Sequence, residues 1–399
     1  MGASRHDAGA GDESSIAILR QMAIYTAGLA GQKSAIPVSP ATLEKAAQAV
    51  LKPEAFSYIA GGAGGEATMR ANRDGFDRWR IVPRMLRDVS RRDTSVKLFG
   101  KKFAQPFLLA PIGVQGLFHK DGELAVARAA RSLGVPIILS TVSSNTMEAV
   151  AEAMGDVTRW FQLYWPKNQE LAASFLSRAE KAGYSAIVVT LDTHMLGWRE
   201  RDLERAYLPF LHGQGLANYF TDPVFRNVLP APPQRDPREA IKCFLEIFSN
   251  PSLTWGDLGF LRQHTKLPIL LKGILDPEDA RMAIDHGVDG IVVSNHGGRQ
   301  LDGAIGAIEA LPGVAREVGE RIPVLFDSGI RRGSDVFKAL ALGARAVLLG
   351  RPYCYGLAIG GEEGVRTVLE NFLADIELTL GLAGCASIGD VSMERLVEA

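Results

Sequence analysis

From about residue 105 onward one theme recurs eight times: a short apolar run rich in β-branched residues, a turn, then a stretch of helical periodicity. The runs are Phe107–Gly113, Ile137–Thr141, Trp160–Trp165, Ile187–Asp192, Ile269–Gly273, Gly290–Ser294, Val324–Asp327 and Ala346–Gly350. Between most of them lie amphipathic stretches such as Gly122–Leu133, Asn168–Ala182, Asp276–His286 and Gly333–Leu342. A strand that is apolar throughout must be covered on both faces, so this alternation calls for a parallel sheet wrapped in helices. Eight units predict an α/β chain folded as a (β/α)8 TIM barrel, with a doubly wound sheet as the weaker alternative. No Gly-x-Gly-x-x-Gly turn follows an early strand, which counts against a dinucleotide fold.

Three segments are expected. Residues 1–15 read as a disordered tail, 16–104 as an N-terminal helical and lid segment, and 105–399 as the barrel. Residues 40–60 read as one helix with a capped start at Ser39, running into Tyr58-Ile-Ala-Gly-Gly. The connection from Arg199 to Trp255 is too long for an idle loop and too apolar for disorder, so 199–255 is read as a lid over the barrel mouth. A net charge of −1 without basic clusters argues against nucleic acid or an anionic membrane as partner. No apolar run approaches the roughly 20 residues of a membrane helix. The start of the chain does not read as a secretory signal. Cys243, Cys354 and Cys385 are far apart, without metal-ligand spacing. A cytoplasmic protein without a metal site is expected.

Polar residues end nearly every run, where such barrels carry their active sites. They are Ser140 and Thr141, Gln162 and Tyr164, Thr190 and Asp192, Lys272, Ser294-Asn-His296, Asp327-Ser-Gly329, and Gly350-Arg351. In Ile291-Val-Val-Ser-Asn-His-Gly-Gly-Arg-Gln300 a base, His296, stands three residues before a fixed cation, Arg299. An imidazole accepts a proton near neutrality and a guanidinium grips a carboxylate, so the pair suits an acid substrate that loses a proton beside its carboxylate. Asp327-Ser-Gly-Ile-Arg-Arg-Gly333 and Leu349-Gly-Arg-Pro352 occupy the corner after the last two strands, where such barrels hold a phosphate. Lys272, on a buried strand, requires an anionic partner or a depressed pKa; a Schiff-base lysine and a cation serving a cofactor both fit.

These motifs resemble the FMN-dependent α-hydroxy acid oxidising family from about Ile24 to the C-terminus, most specifically in Ser294-Asn-His-Gly-Gly-Arg-Gln300 and in Asp327-Ser-Gly-Ile-Arg331 with Gly350-Arg351. Pro209-Phe-Leu211 and Asn218-Tyr-Phe-Thr-Asp-Pro-Val-Phe225 resemble its lactate 2-monooxygenase branch, as does an aliphatic residue, Val142, where glycolate oxidase-like members carry tryptophan. The resemblance implies that His296 is the catalytic base and Asp192 its carboxylate partner. It implies that Arg199 and Arg299 clamp the substrate carboxylate, and that Tyr58 and Tyr164 hydrogen-bond substrate. Lys272 would lie beside flavin N1; Pro111, Ile112, Gly113, Ser140, Gln162, Thr190 and Ser294 would contact the flavin ring. Asp327, Ser328, Gly329, Ile330, Arg331, Gly350 and Arg351 would hold the ribityl chain and phosphate.

The implied activity is oxidation of an L-2-hydroxy acid by dioxygen with FMN as cofactor. The branch resemblance favours a lactate-like substrate and the monooxygenase outcome, in which the product is a carboxylic acid one carbon shorter, with carbon dioxide and water. In the oxidase or dehydrogenase outcome the 2-keto acid is released. Hydride transfer and carbanion formation both use His296 as base, and the resemblance also implies a homotetramer or homo-octamer. A flavin-dependent isomerase would share the phosphate corner without needing His296, Arg299 and Arg199. A non-catalytic flavin-binding protein could dispense with the base.

Overall fold

The computed structural model describes residues 15–399. Eight parallel strands close into a barrel: β1 (Phe107–Leu109), β2 (Ile137–Ser140), β3 (Arg159–Leu163), β4 (Ile187–Thr190), β5 (Ile269–Ile274), β6 (Gly290–Val293), β7 (Val324–Phe326) and β8 (Ala346–Leu349). They pair in sequence order, and β8 returns to β1 through Leu348↔Leu108. Seven of the expected runs hold a strand and the start of the turn that follows it, β3 beginning one residue earlier than read, while β5 extends one residue beyond its run.

Successive strand residues face opposite ways, and this two-residue period explains the core. Leu108, Ile138, Trp160, Val188, Leu270, Val292, Leu325 and Leu348, one from each strand, form an apolar layer of their own inside the barrel. Their neighbours, among them Leu109, Phe161, Val189, Leu271 and Val347, pack outward against the helices. One step of two residues beyond the inner layer brings Ser140, Gln162, Thr190, Lys272, Ser294, Asp327 and Gly350 to the C-terminal rim. The period that buries the apolar layer thus aims the polar one.

The N-terminal segment differs from its reading in three places. Residues 1–14 of the expected tail lie outside the described residues, but Ser15 is the N-cap of helix Ile16–Leu29, its Oγ accepting from the Ile18 amide at 3.3 Å. Residues 40–60 form two helices, Pro40–Val50 and Pro53–Ala60. Proline holds the residue before it out of the helical region, and Lys52 is extended (φ −60°, ψ 147°). The Ser39 side chain makes no cap bond either. Finally, the hairpin Val96–Leu98/Lys101–Phe103 is no lid: Val96, Leu98 and Phe103 join the inner layer. Phe99 lies against Trp160, near the start of β3, so the hairpin closes the N-terminal end of the barrel.

Residues 199–255 are built from short helices, the longest being Pro237–Phe248. Asn218 is buried and fastens the segment to the barrel, accepting from the Met147 amide (2.8 Å) and donating to the Thr141 carbonyl (3.1 Å). Tyr219 is wholly buried, edge-on to Phe175, Phe225 and Phe244.

Candidate active site

The turn after β6 sets the position of the base. His296 has φ 58° and Gly297 and Gly298 have φ 67° and 75°, so three successive residues are left-handed. A β-carbon on Gly298 would stand 2.7 Å from the Met69 backbone, so only glycine fits there. The turn is held from outside by a reciprocal amide pair, Asn72 to Asn295 at 2.8 and 2.7 Å. Ser328 Oγ accepts from the Asn295 and Gly297 amides.

His296 Nδ1 is 2.6 Å from Asp192 Oδ1. A carboxylate only accepts, so Nδ1 carries the proton and Nε2 presents a lone pair to the cavity. Tyr164 Oη is 3.5 Å from that Nε2. Burial lowers the His296 pKa below its ordinary value, outweighing the pull of Asp192, so the resting imidazole is neutral. Burial acts to raise Asp192, but its coupling to His296, the Lys272 charge and the hydrogen bonds from His296 and Thr193 bring it down to about 2. A neutral base with an ionised partner is an arrangement ready to take one proton.

Lys272 donates to Ser294 Oγ (2.8 Å) and lies 3.3 Å from Asp327 and 3.9 Å from Asp192. Burial alone would lower its pKa, but the two carboxylates raise it. Lys272 is therefore an ammonium, which removes the Schiff-base alternative. On the same cavity, Arg299 Nη1 donates to the Gly61 carbonyl (2.8 Å) and its guanidinium lies 5.0 Å over the Tyr58 ring. Burial and the neighbouring Arg199 charge depress Arg299 to about 9, the signature of a cation awaiting an anion. Arg199 is aimed by the Arg299 carbonyl (3.1 Å) and Gln300 Oε1 (2.8 Å). Burial raises both Tyr58 and Tyr164, so each remains an O–H donor.

At the far end Arg331 and Arg351 are neighbours. Arg351 donates to the carbonyls of Ile59, Gly61 and Gly297. Burial and the Arg351 charge lower Arg331 to about 10. Gly329 (φ 106°) lies so close to the Asn72 carbonyl that a β-carbon would stand 2.8 Å from it.

One cavity joins these groups. Tyr58, Pro111, Ile112, Gly113, Tyr164, Thr190, Arg199, Lys272, His296, Arg299, Asp327, Ser328, Gly329, Ile330, Arg331, Gly350 and Arg351 all line it. Asp192, Ser140, Gln162 and Ser294 stand behind that wall: Asp192 on His296, Ser294 on Lys272, and Ser140 on Gln162 Oε1 at 3.1 Å. The donor set suits FMN. Gln162 Nε2 and Thr190 Oγ1 are buried without partners among the described residues, as expected of groups reserved for a flavin ring. Two adjacent guanidinium groups at the closed corner suit a terminal phosphate.

Some of the site had no separate sequence signal. Thr193 donates to Asp192 Oδ1 (2.9 Å) and touches His296 Nδ1 (3.2 Å); it stands one residue past the fourth apolar run. Asn72 lies in a helix with nothing to mark it. Leu196, Phe210 and Phe248, which wall the substrate end with Val142, come from the long connections.

Comparison with known proteins agrees with this geometry. The FMN-dependent dehydrogenase family profile matches residues 47–398. An L-lactate oxidase of Lysinibacillus sphaericus is 49% identical over 363 residues, 91% of this chain and 93% of that protein. A 4-hydroxymandelate oxidase of Amycolatopsis orientalis is 45% identical over 88% of this chain and 96% of its own length. The crystal structure of a mandelate oxidase superimposes with a TM-score of 0.80 at 44% identity, covering 91% of this chain and 98% of that one.

Proposed function

The chain belongs to the FMN-dependent dehydrogenase family, and on that premise we propose that it oxidises an L-2-hydroxy acid with dioxygen as the final oxidant. The observation that carries this reading is the 2.6 Å His296–Asp192 pair on a cavity that Arg299 and Arg199 also line. FMN, when bound, supplies the two-electron acceptor. Arg299 and Arg199 take the substrate carboxylate, which fixes the α-carbon relative to His296. Tyr58 and Tyr164 donate to the carboxylate and hydroxyl. His296 Nε2 receives the hydroxyl proton as the α-carbon is oxidised, and Asp192 stabilises the imidazolium that forms. Lys272 keeps a positive charge on the cavity wall, where electron density collects.

Val142, Leu196, Phe210 and Phe248 give the substrate end an apolar wall, which suits a hydrocarbon side chain such as that of lactate, a longer aliphatic acid or mandelate. The names of the relatives favour release of the 2-keto acid and peroxide. Coupled decarboxylation to a shorter acid, carbon dioxide and water is the second reading. It is supported by the firm attachment of residues 209–248 over the barrel, because peroxide meets the 2-keto acid only if both are retained. Turnover across a panel of 2-hydroxy acids, with peroxide and carbon dioxide measured together, tests both readings. Stoichiometric peroxide sinks the decarboxylating one, and no flavin reduction by any 2-hydroxy acid sinks the function. Ile18, Leu19, Met22, Tyr25 and Leu29 are exposed along the first helix, which supports a homo-oligomer. No described helix is long and apolar enough to cross a membrane, and a cytoplasmic location remains part of this reading.

A further inference from the structure

The phosphate corner has a buried donor that no role assigned so far uses. Tyr355 lies four residues after Arg351 on helix Arg351–Leu382, so the two share a helix face. The ring is 1% exposed, and its hydroxyl is buried without a hydrogen-bond partner among the described residues. With Gly297, Gly329, Arg331 and Arg351 it lines a second cleft, which meets the main cavity at those four residues. Arg73, Arg332, Glu44 and Asp74 line the same cleft farther out.

The corner has ample charge, but part of its donor set is already committed to backbone carbonyls. Arg351 already directs donors from all three of its nitrogens at the carbonyls of Ile59, Gly61 and Gly297. Arg331 gives one to the Ile330 carbonyl. A terminal phosphate presents three acceptor oxygens, and a hydroxyl donating to an ionised acceptor makes one of the stronger protein hydrogen bonds. Burial pushes the Tyr355 phenol up to about 12 in spite of the adjacent Arg351 and Arg331 charges, so it is a proton donor at neutral pH. An unpaired buried hydroxyl is costly, and a phosphate oxygen would remove that cost.

We propose that the Tyr355 hydroxyl is a further ligand of the cofactor's terminal phosphate, donating to it from the side of the second cleft beside Arg331 and Arg351. The proposal rests on the FMN reading of the corner. Tyr355→Phe removes the hydroxyl and keeps the ring, and riboflavin, which lacks the phosphate, is the control ligand. Apoprotein titrated with each flavin, followed by quenching of flavin fluorescence, should show FMN affinity falling about 10- to 100-fold in the variant. Riboflavin affinity should not change, and the phosphorus resonance of bound FMN should move. Unchanged FMN affinity, or an equal loss for both flavins, overturns the role of Tyr355 and leaves a water as the hydroxyl's partner. Parental protein that binds riboflavin as tightly as FMN overturns the phosphate corner itself, whatever Tyr355 does.

Discussion

Lys272 and Arg331 are both cations on the wall of one cavity, yet they are held in opposite ways. Lys272 has Asp327 at 3.3 Å, Asp192 at 3.9 Å and Ser294 Oγ at 2.8 Å, and its pKa is raised. Arg331 has Arg351 as its charged neighbour, forms no ion pair among the described residues, and is depressed to about 10. The Lys272 cluster is electrostatically complete before any ligand arrives, whereas the phosphate corner is complete only with an anion in it. Chemistry and cofactor retention are therefore separable by mutation.

The sharpest separation comes from His296→Gln. It should retain FMN with parental affinity while flavin reduction by substrate, followed anaerobically by stopped flow, slows roughly 10²–10⁴-fold. A parental reduction rate would refute the role of the base. Arg331→Met should do the reverse: FMN affinity falls on the order of 10- to 100-fold, yet saturated variant reduces at a near-parental rate. The apoprotein should melt no lower than the parent, because a depressed, unpaired cation has been removed. A lower melting temperature without flavin would mean that Arg331 supports the fold.

Arg299→Met should cost on the order of 1.5–3 kcal/mol in kcat/KM for 2-hydroxy acids. The cost should shrink for their esters, and equal losses for both would deny the carboxylate contact. The smallest effect concerns pH. His296 is depressed below its ordinary value of 6.5 and acts when neutral, so the reduction rate at limiting substrate should be flat across neutrality. It should fall on acidification with a midpoint below 6.5, and a midpoint above that value would contradict the buried, neutral base.

Much of this contrast was legible in the sequence because it follows a two-residue period. Once Leu270 or Leu325 faces inward, Lys272 and Asp327 must follow on the same side, and the recurrence of strand and helix supplies the barrel. What escaped was non-local. Nothing near Asn72 announces a partner 223 residues away. The helix break at Pro53 was available in principle, since proline restricts Lys52, but helical periodicity on both sides hid it. Residues 96–103 read as part of a helical segment because four apolar residues bounded by lysines carry no mark of a barrel plug. Tyr219 carried no mark of its own either: inside a connection read as a lid, it is a wholly buried core residue.

The clasp around the base turn also has a consequence in time. Asn72 and the Ile59 and Gly61 carbonyls are made early in synthesis, while Asn295 and Arg351, which complete their bonds, come from the last third of the chain. A nascent chain on the ribosome therefore carries half of its catalytic turn as an open socket until residue 351 has emerged. Activity should then appear abruptly, with no partly competent barrel before it.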